Sequence, residues 1–206
     1  MKEPYLNIGH IGLADKVLGP GKRLVIWVAG CPFRCQGCIQ PDYLPKNSGK
    51  DISVPELTNV VDHYLNQIDG ITVSGGEPLW QADALSLLME NIPSSLEKMV
   101  FTGYKIDELN ESQLQCVSKF DLVVDGRFKE INKGDYMWRG SSNQKFYSPT
   151  GKYTNKQLQA FYNCKTAGLE ITVKDNSIFF YGIPTGVEID EIYGVLQSKS
   201  INILTP

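Results

Sequence analysis

The sequence predicts an α/β fold: an incomplete TIM-type barrel of βα units with a parallel sheet, plus a C-terminal β-hairpin. Three observations lead there. Short continuous apolar runs alternate with stretches of helical apolar spacing, each run stops at or near a glycine, and the last third of the chain changes to two strand-like runs around a turn. With 206 residues, 42% of them apolar, the chain is long enough to bury one substantial core. It is expected to be a single domain over residues 1–206, with a core at about 24–144 and an extension at about 150–206. Roughly four or five βα units fit in that length, which is short for a closed eightfold barrel.

Leu24-Val25-Ile26-Trp27-Val28 is the first strand, apolar without interruption as a strand covered on both faces is, and it ends at Gly30. Ser53-Val54-Pro55-Glu56 has the form of a capping box with proline in the first turn. Leu57, Val60, Val61, Tyr64, Leu65 and Ile68 follow at helical spacing. Gly70 to Val73 is a second strand and Leu79 to Ile92 the helix after it. Lys98 to Phe101, a short helix over about Asn110 to Val117 and a strand over Asp121 to Val124 repeat the unit. Strand, glycine, helix, strand argues for right-handed βαβ crossovers, and in such sheets chemistry collects at the carboxyl ends of the strands. Those ends carry Gly30-Cys31, Ser74 to Glu77, Thr102-Gly103-Tyr104 and Asp125-Gly126-Arg127. A helix near Thr154 to Cys164 follows, and then Leu169 to Lys174 and Ser177 to Tyr181 form a hairpin appended to the sheet.

Twenty Lys and Arg against 23 Asp and Glu give a net charge of -3, too balanced for a general nucleic-acid binder or a polybasic membrane binder. The longest apolar run, Leu24 to Ala29, is far short of the roughly 20 residues that cross a bilayer. The first residues are charged and contain proline rather than forming a leader, so the chain is expected to be cytoplasmic. Five cysteines is an odd count that favours reduced thiols over a disulfide framework.

Three of the five fall within eight residues, Cys31, Cys35 and Cys38, on the loop leaving the first strand. Clustered thiols at such spacing point to a metal. A structural zinc site takes four tetrahedral ligands and would need a fourth from Cys116, Cys164, His10 or His63. An iron-sulfur cubane held by three thiolates has one iron open to another ligand. Cys116 and Cys164 lie on predicted helices, where isolated cysteine is expected to be buried packing. Ser74-Gly75-Gly76-Glu77-Pro78 carries little side-chain volume, so its backbone can approach a ligand closely; taken alone it also reads as a plain turn before a helix. Thr102-Gly103 and Asp125-Gly126 stand at the next two strand ends, where a ligand role competes with a turn at Gly126 and a capping role for Asp125. In the polar segment Arg139 to Gln144, a role for Arg139 and Asn143 in orienting a peptide or the cofactor competes with a solvated turn, the commoner reading of such a run.

The CxxxCxxC spacing of Cys31, Cys35 and Cys38, followed by Gly75-Gly76-Glu77-Pro78, resembles the radical S-adenosylmethionine family. Four segments bring the resemblance closer to the small activating enzymes of anaerobic ribonucleotide reductase. These are the Gly30 to Cys38 loop, Gly75 to Pro78, Phe101 to Tyr104, and Asp125 to Phe128 together with Arg139 to Gln144. The resemblance covers roughly Leu24 to Gln144, and the last forty or so residues are similar to the broader group of single-cluster activases. It implies a 4Fe-4S cluster on the three cysteines, with S-adenosylmethionine on the fourth iron. It also implies that Gly75, Gly76, Glu77, Pro78, Thr102, Gly103 and Asp125 bind the cofactor. Reductive cleavage to a 5'-deoxyadenosyl radical then abstracts hydrogen from a glycine of a partner glycyl-radical enzyme, with no side-chain acid, base or nucleophile. Electrons would come from a flavodoxin- or ferredoxin-type donor, and no nucleic acid or membrane is involved. Two other readings remain open: a radical enzyme acting on a small molecule or peptide, and a noncatalytic zinc or iron-sulfur binding module.

Overall fold

In the computed structural model, residues 4–165, 168–174, 177–183 and Gly194 are described. The strands are β1 (Tyr5–Asp15), β2 (Lys22–Val28), β3 (Lys50–Ser53), β4 (Gly70–Gly75), β5 (Glu97–Thr102), β6 (Leu122–Asp125), β7 (Lys133–Tyr136), β8 (Arg139–Ser141), β9 (Lys145–Tyr147), β10 (Leu169–Lys174) and β11 (Ser177–Gly182). The helices are α1 (Val54–Tyr64), α2 (Ala82–Asn91), α3 (Glu111–Val117) and α4 (Asn155–Tyr162). Seven strands form one sheet in the order β3-β1-β2-β4-β5-β6-β9. The four central strands β2, β4, β5 and β6 are parallel, as the sequence predicts. The flanks are antiparallel, so the sheet is mixed rather than purely parallel.

The eleven-residue β1 escapes the sequence reading for a physical reason. Asn7, Gly9, His10 and Gly12 break its apolar run, and it packs beside β2 through backbone pairing from Ile8↔Val28 to Asp15↔Lys22. The short strands β3 and β9 carry Lys50-Asp51 and Lys145 and give no apolar signal.

Period-two alternation along the strands separates the two faces of the sheet. Leu24, Ile26 and Val28 of β2, Val100 of β5 and Val123 of β6 join a core with Leu57 and Val61 of α1, Leu85, Leu88 and Met89 of α2, and Val117 of α3. Ser53 caps α1 in a reciprocal capping box with Glu56. Val25 and Trp27 of β2 face the other way, into a cluster with Ala14, Val17, Leu18 and Tyr181. Met99, Leu122 and Val124 face a third cluster with Trp138, Phe146 and Leu158. Helices α1 to α3 therefore cover one face, while α4, the β7–β8 segment and the β10–β11 pair cover the other.

The β10–β11 pair is antiparallel but forms its own two-stranded sheet. It packs on a face of the main sheet rather than extending it, because β3 and β9 already occupy both edges. Cys116 is fully buried in the helical-face core, as expected, whereas Cys164 is exposed. Helix α4 stops at Tyr162, and Cys164 lies past its end, where it escapes the packing expected of it.

Candidate functional site

The carboxyl ends of the four parallel strands open at one end of the sheet. The chain leaves β2 at Gly30 with φ +92°, where its N–H donates to Tyr43 O at 2.8 Å, and Cys31 N–H donates to Leu44 O at 3.0 Å. These two bonds close the base of the cysteine loop against the turn Pro41–Tyr43. Within the loop, Cys38 N–H donates to Cys35 O at 3.3 Å, and Arg34 Nη1 donates to Cys31 O and Phe33 O, both at 2.8 Å. Phe33 pins the loop to the exits of β5 and β6. Its ring meets Tyr104 edge-on with centroids 4.8 Å apart, and the Arg127 guanidinium lies 4.4 Å over it.

All three clustered thiols line one cavity of about 180 Å³. Gly75, Gly76, Glu77, Thr102 and Gly103 line the same cavity. Among the described residues, no three His, Cys, Asp or Glu side chains are gathered to hold a metal ion. The donor set itself fits an iron-sulfur group, because three thiols are the soft ligands iron-sulfur clusters take. Burial raises Cys31 to about 11 and raises Cys35 as well, so these two thiols are protonated until a cation supplies the charge that makes them thiolates.

The Gly75-Gly76 pair lets the β4 exit lie flat on the β2 exit. Gly76 N–H donates to Val28 O at 2.7 Å and Glu77 N–H to Gly30 O at 2.9 Å. A Cβ on Gly76 would stand 2.4 Å from Gly30 O, and one on Gly75 2.3 Å from Val28 O with φ at +105°. A larger residue would drive the glycine turn away from the cysteine loop.

Glu77 is 1% exposed. Its Oε1 accepts from Leu79 N–H at 2.9 Å and from the Thr102 hydroxyl at 2.8 Å, and its Oε2 accepts from Gly103 N–H at 2.7 Å. Burial pushes the carboxyl up to about 7, against the pull of those three donors and Arg127. The side chain thus ties the β4 exit to the β5 exit. Pro78, also buried, starts the turn Pro78–Gln81 and does not line the cavity. Asp125 is also off the cavity wall: its Oδ2 accepts from Ile106 N–H at 3.0 Å, and burial raises its carboxyl. Its side chain performs the capping role expected of it, at the Ile106 turn.

Arg139 to Gln144 is an internal brace rather than a solvated turn. Gln144 Oε1 accepts from Gly140 N–H at 2.8 Å and Ser141 N–H at 3.2 Å, while its Nε2 donates to Gly126 O at 2.9 Å. Asn143 Nδ2 donates to Arg127 O at 2.9 Å. Arg139 is 3% exposed, stacked near Tyr136 and Tyr162, with Nη1 donating to Gln144 O at 3.2 Å. The segment holds the Gly126-Arg127 turn in place, and both Gly126 and Arg127 line the cavity. Leu18, Trp27, Lys133, Phe180 and Ile183 also line it and carry no local motif by which the sequence shows them.

A family model described as a 4Fe-4S single cluster domain matches residues 17–147. The anaerobic ribonucleoside-triphosphate reductase-activating protein of Escherichia coli strain K12 is 35% identical over 143 residues, covering 63% of this chain and 90% of its own. The protein of the same name from Enterobacteria phage T4 is 28% identical over 151 residues, covering 70% and 96%. The pyruvate formate-lyase-activating enzyme of Listeria monocytogenes is 39% identical over 89 residues, covering 41% and 36%. The crystal structure of QueE from Escherichia coli superimposes with a TM-score of 0.46 at 11% identity, over 98% of this chain and 94% of that one, a likeness too distant to bear on function. With the family model matching well over half of its length, the chain belongs to the 4Fe-4S single cluster domain family, among the radical S-adenosylmethionine activating proteins.

Proposed function

We propose that this chain is an activating enzyme that installs a glycyl radical on a partner enzyme, with an anaerobic ribonucleotide reductase as the partner its relatives name. In this reading Cys31, Cys35 and Cys38 hold a 4Fe-4S cluster, and the Gly75-Gly76-Glu77 turn with Thr102 and Gly103 holds S-adenosylmethionine beside it. When bound, a cluster reduced by an external donor would supply one electron to the sulfonium of S-adenosylmethionine, cleaving it to methionine and a 5'-deoxyadenosyl radical able to take a hydrogen atom from a glycine Cα.

The chain's own contribution is position and dryness. The bonds from Gly30 and Cys31 to Tyr43 and Leu44 fix the base of the cysteine loop. Glu77, with its carboxyl oxygens spent on Leu79, Thr102 and Gly103 and its N–H on Gly30 O, fixes the turn in place rather than offering a ligand its charge. Trp27, Phe101 and Phe128 present apolar surface to the cavity and exclude water from it. The curved wall for this site is a partial barrel formed by the four parallel strands, within a single domain. The electron donor is of the flavodoxin or ferredoxin type, and the compartment is the cytoplasm. No helix among the described residues is long and apolar enough to cross a membrane.

One observation carries the reading: three thiols and a Gly-Gly-Glu turn share the wall of a cavity at the carboxyl ends of parallel strands. The test is anaerobic reconstitution with iron and sulfide, followed by S-adenosylmethionine and dithionite, with and without an anaerobic ribonucleoside-triphosphate reductase. The expected result is 5'-deoxyadenosine and a glycyl radical in the electron paramagnetic resonance spectrum of the reductase. Cluster uptake without any 5'-deoxyadenosine would reject the proposal in favour of a binding module.

A further inference from the structure

The face of the sheet left bare by α1 to α3 is sealed next to the cavity by the β10–β11 hairpin, and the seal is built rather than incidental. Tyr181 of β11 stacks on Trp27 of β2 with centroids 5.4 Å apart, and its hydroxyl lies 3.2 Å from His10 Nε2. Phe179 stacks on His10 at 5.1 Å. Gly12 of β1 provides the notch: a Cβ there would stand 2.5 Å from the Tyr181 hydroxyl. The Glu170 carboxylate of β10 accepts from Asp15 N–H at 2.7 Å, anchoring the other strand. At the end of β11, Gly182 has φ +124°, and a Cβ on it would stand 2.6 Å from Gly168 O. The strand's last turn can therefore close against the start of β10 only with glycine at that position.

This docked hairpin delivers Phe180, Gly182 and Ile183 to the same cavity wall as the three thiols and the Gly75 to Glu77 turn. It lies wholly outside residues 17–147, the part of the chain that the family model matches. The matched core thus supplies the cluster loop and the glycine turn, and a segment beyond it supplies an apolar wall.

We propose that the hairpin is the substrate-facing wall of the site, with Phe180 and Ile183 determining how closely a glycine-bearing segment of a protein substrate seats against the reacting centre. The proposal rests on the glycyl-radical reading above and deepens it. A primary carbon radical attacks whatever C–H bond lies nearest, so a yield of one substrate radical per cleavage needs a wall that holds the target glycine in place and excludes other donors. Phe180 and Ile183 are specificity determinants in this account, and Tyr181, Gly12 and His10 are positioning residues that act through them.

The test uses the full chain with two variants, Phe180→Ala and Tyr181→Ala. Without cluster or cofactor, acrylamide quenching of tryptophan fluorescence reads the seal. Trp27 is 3% exposed and Trp138 6%, while Trp80 at 43% gives a constant background. Tyr181→Ala is expected to make Trp27 quenchable, and Phe180→Ala to leave it shielded. After reconstitution, both variants are expected to keep the wild-type cluster absorbance. The ratio of 5'-deoxyadenosine formed to glycyl radical formed on an anaerobic ribonucleoside-triphosphate reductase should rise about tenfold, the lower end of what a lost apolar pocket contact does to discrimination. A wild-type ratio in both variants would overturn the wall's role in specificity. Unchanged Trp27 quenching in Tyr181→Ala would overturn the seal itself, in a measurement that requires no activity. Failure of the wild-type chain to form any glycyl radical would instead remove the functional reading on which the wall depends.

Discussion

Alanine at any one of Cys31, Cys35 or Cys38 is expected to abolish S-adenosylmethionine cleavage and the visible absorbance of the reconstituted cluster, while leaving the fold intact. All three thiols line the cavity: Cys35 and Cys38 are half-buried there, and Cys31 is buried at its base. The loop that carries them is held by backbone bonds from Gly30, Cys31 and Cys38 and by the Phe33 ring between Tyr104 and Arg127, none of which uses a sulfur. Removing one thiolate from a three-thiolate site costs a bond the cluster cannot replace, so loss to background is expected rather than partial activity. Cys116→Ser serves as the contrasting change. It lies in the helical-face core and is expected to lower stability without changing the cluster spectrum. Iron content, visible absorbance and circular dichroism of the five proteins, wild type included, check both statements together; normal cluster absorbance in Cys35→Ala would refute the ligand assignment.

Glu77→Ala is expected to destabilise the cofactor-free chain by about 3 kcal/mol or more, because the Leu79 and Gly103 amides and the Thr102 hydroxyl each lose an acceptor at about 1–3 kcal/mol apiece. The carboxyl also predicts a pH dependence. Its value is about 7 in the folded chain against 4.5 as a free side chain, so the folded state holds this proton more tightly than the unfolded state. The stability it contributes is therefore complete below about pH 4.5 and is lost as the pH rises through 7. Glu77→Gln, which carries no titrating group, is expected to flatten that part of the curve. Urea denaturation of the cofactor-free chain from pH 5 to 8 measures the slope, and equal slopes in Glu77→Gln and wild type would contradict this account of the carboxyl.

What the sequence made legible and what it hid follow from how each feature is encoded. The four parallel strands and helices α1 to α3 announce themselves through local patterns: apolar runs such as Leu24 to Val28, the capping box at Ser53, and glycines at the strand ends. The cysteine loop and the Gly75-Gly76 turn are equally local, because each function sits within a handful of residues. Strand β1 was hidden because its partners, not its own composition, make it a strand: polar Asn7 and His10 are accommodated by Gln81, Asp51 and Tyr181 from distant parts of the chain. The work of Arg139 to Gln144 was hidden for the same reason. A polar run looks solvated until the chain folds Gly126 and Tyr162 over it. Asp125 and Pro78 stand beside site residues in sequence, yet the bond from Ile106 N–H to Asp125 and the turn after Glu77 go with both being off the cavity wall. Adjacency in a motif does not fix the direction of a side chain. Phe180 and Ile183 reach the cavity only through the hairpin's docking on Trp27, and no spacing within the chain foretells that.

The central claim is that three cysteine thiolates hold a 4Fe-4S cluster whose remaining iron is free to take S-adenosylmethionine. Its most direct test is electron–nuclear double resonance on the reduced, reconstituted protein, with S-adenosylmethionine labelled by nitrogen-15 at the amino group and oxygen-17 at the carboxylate. The account predicts hyperfine coupling from both labels to the cluster, and its loss when unlabelled cofactor is substituted. A cluster with a fourth protein ligand and no coupling from either label, or a single zinc ion bound in place of the cluster, would contradict it.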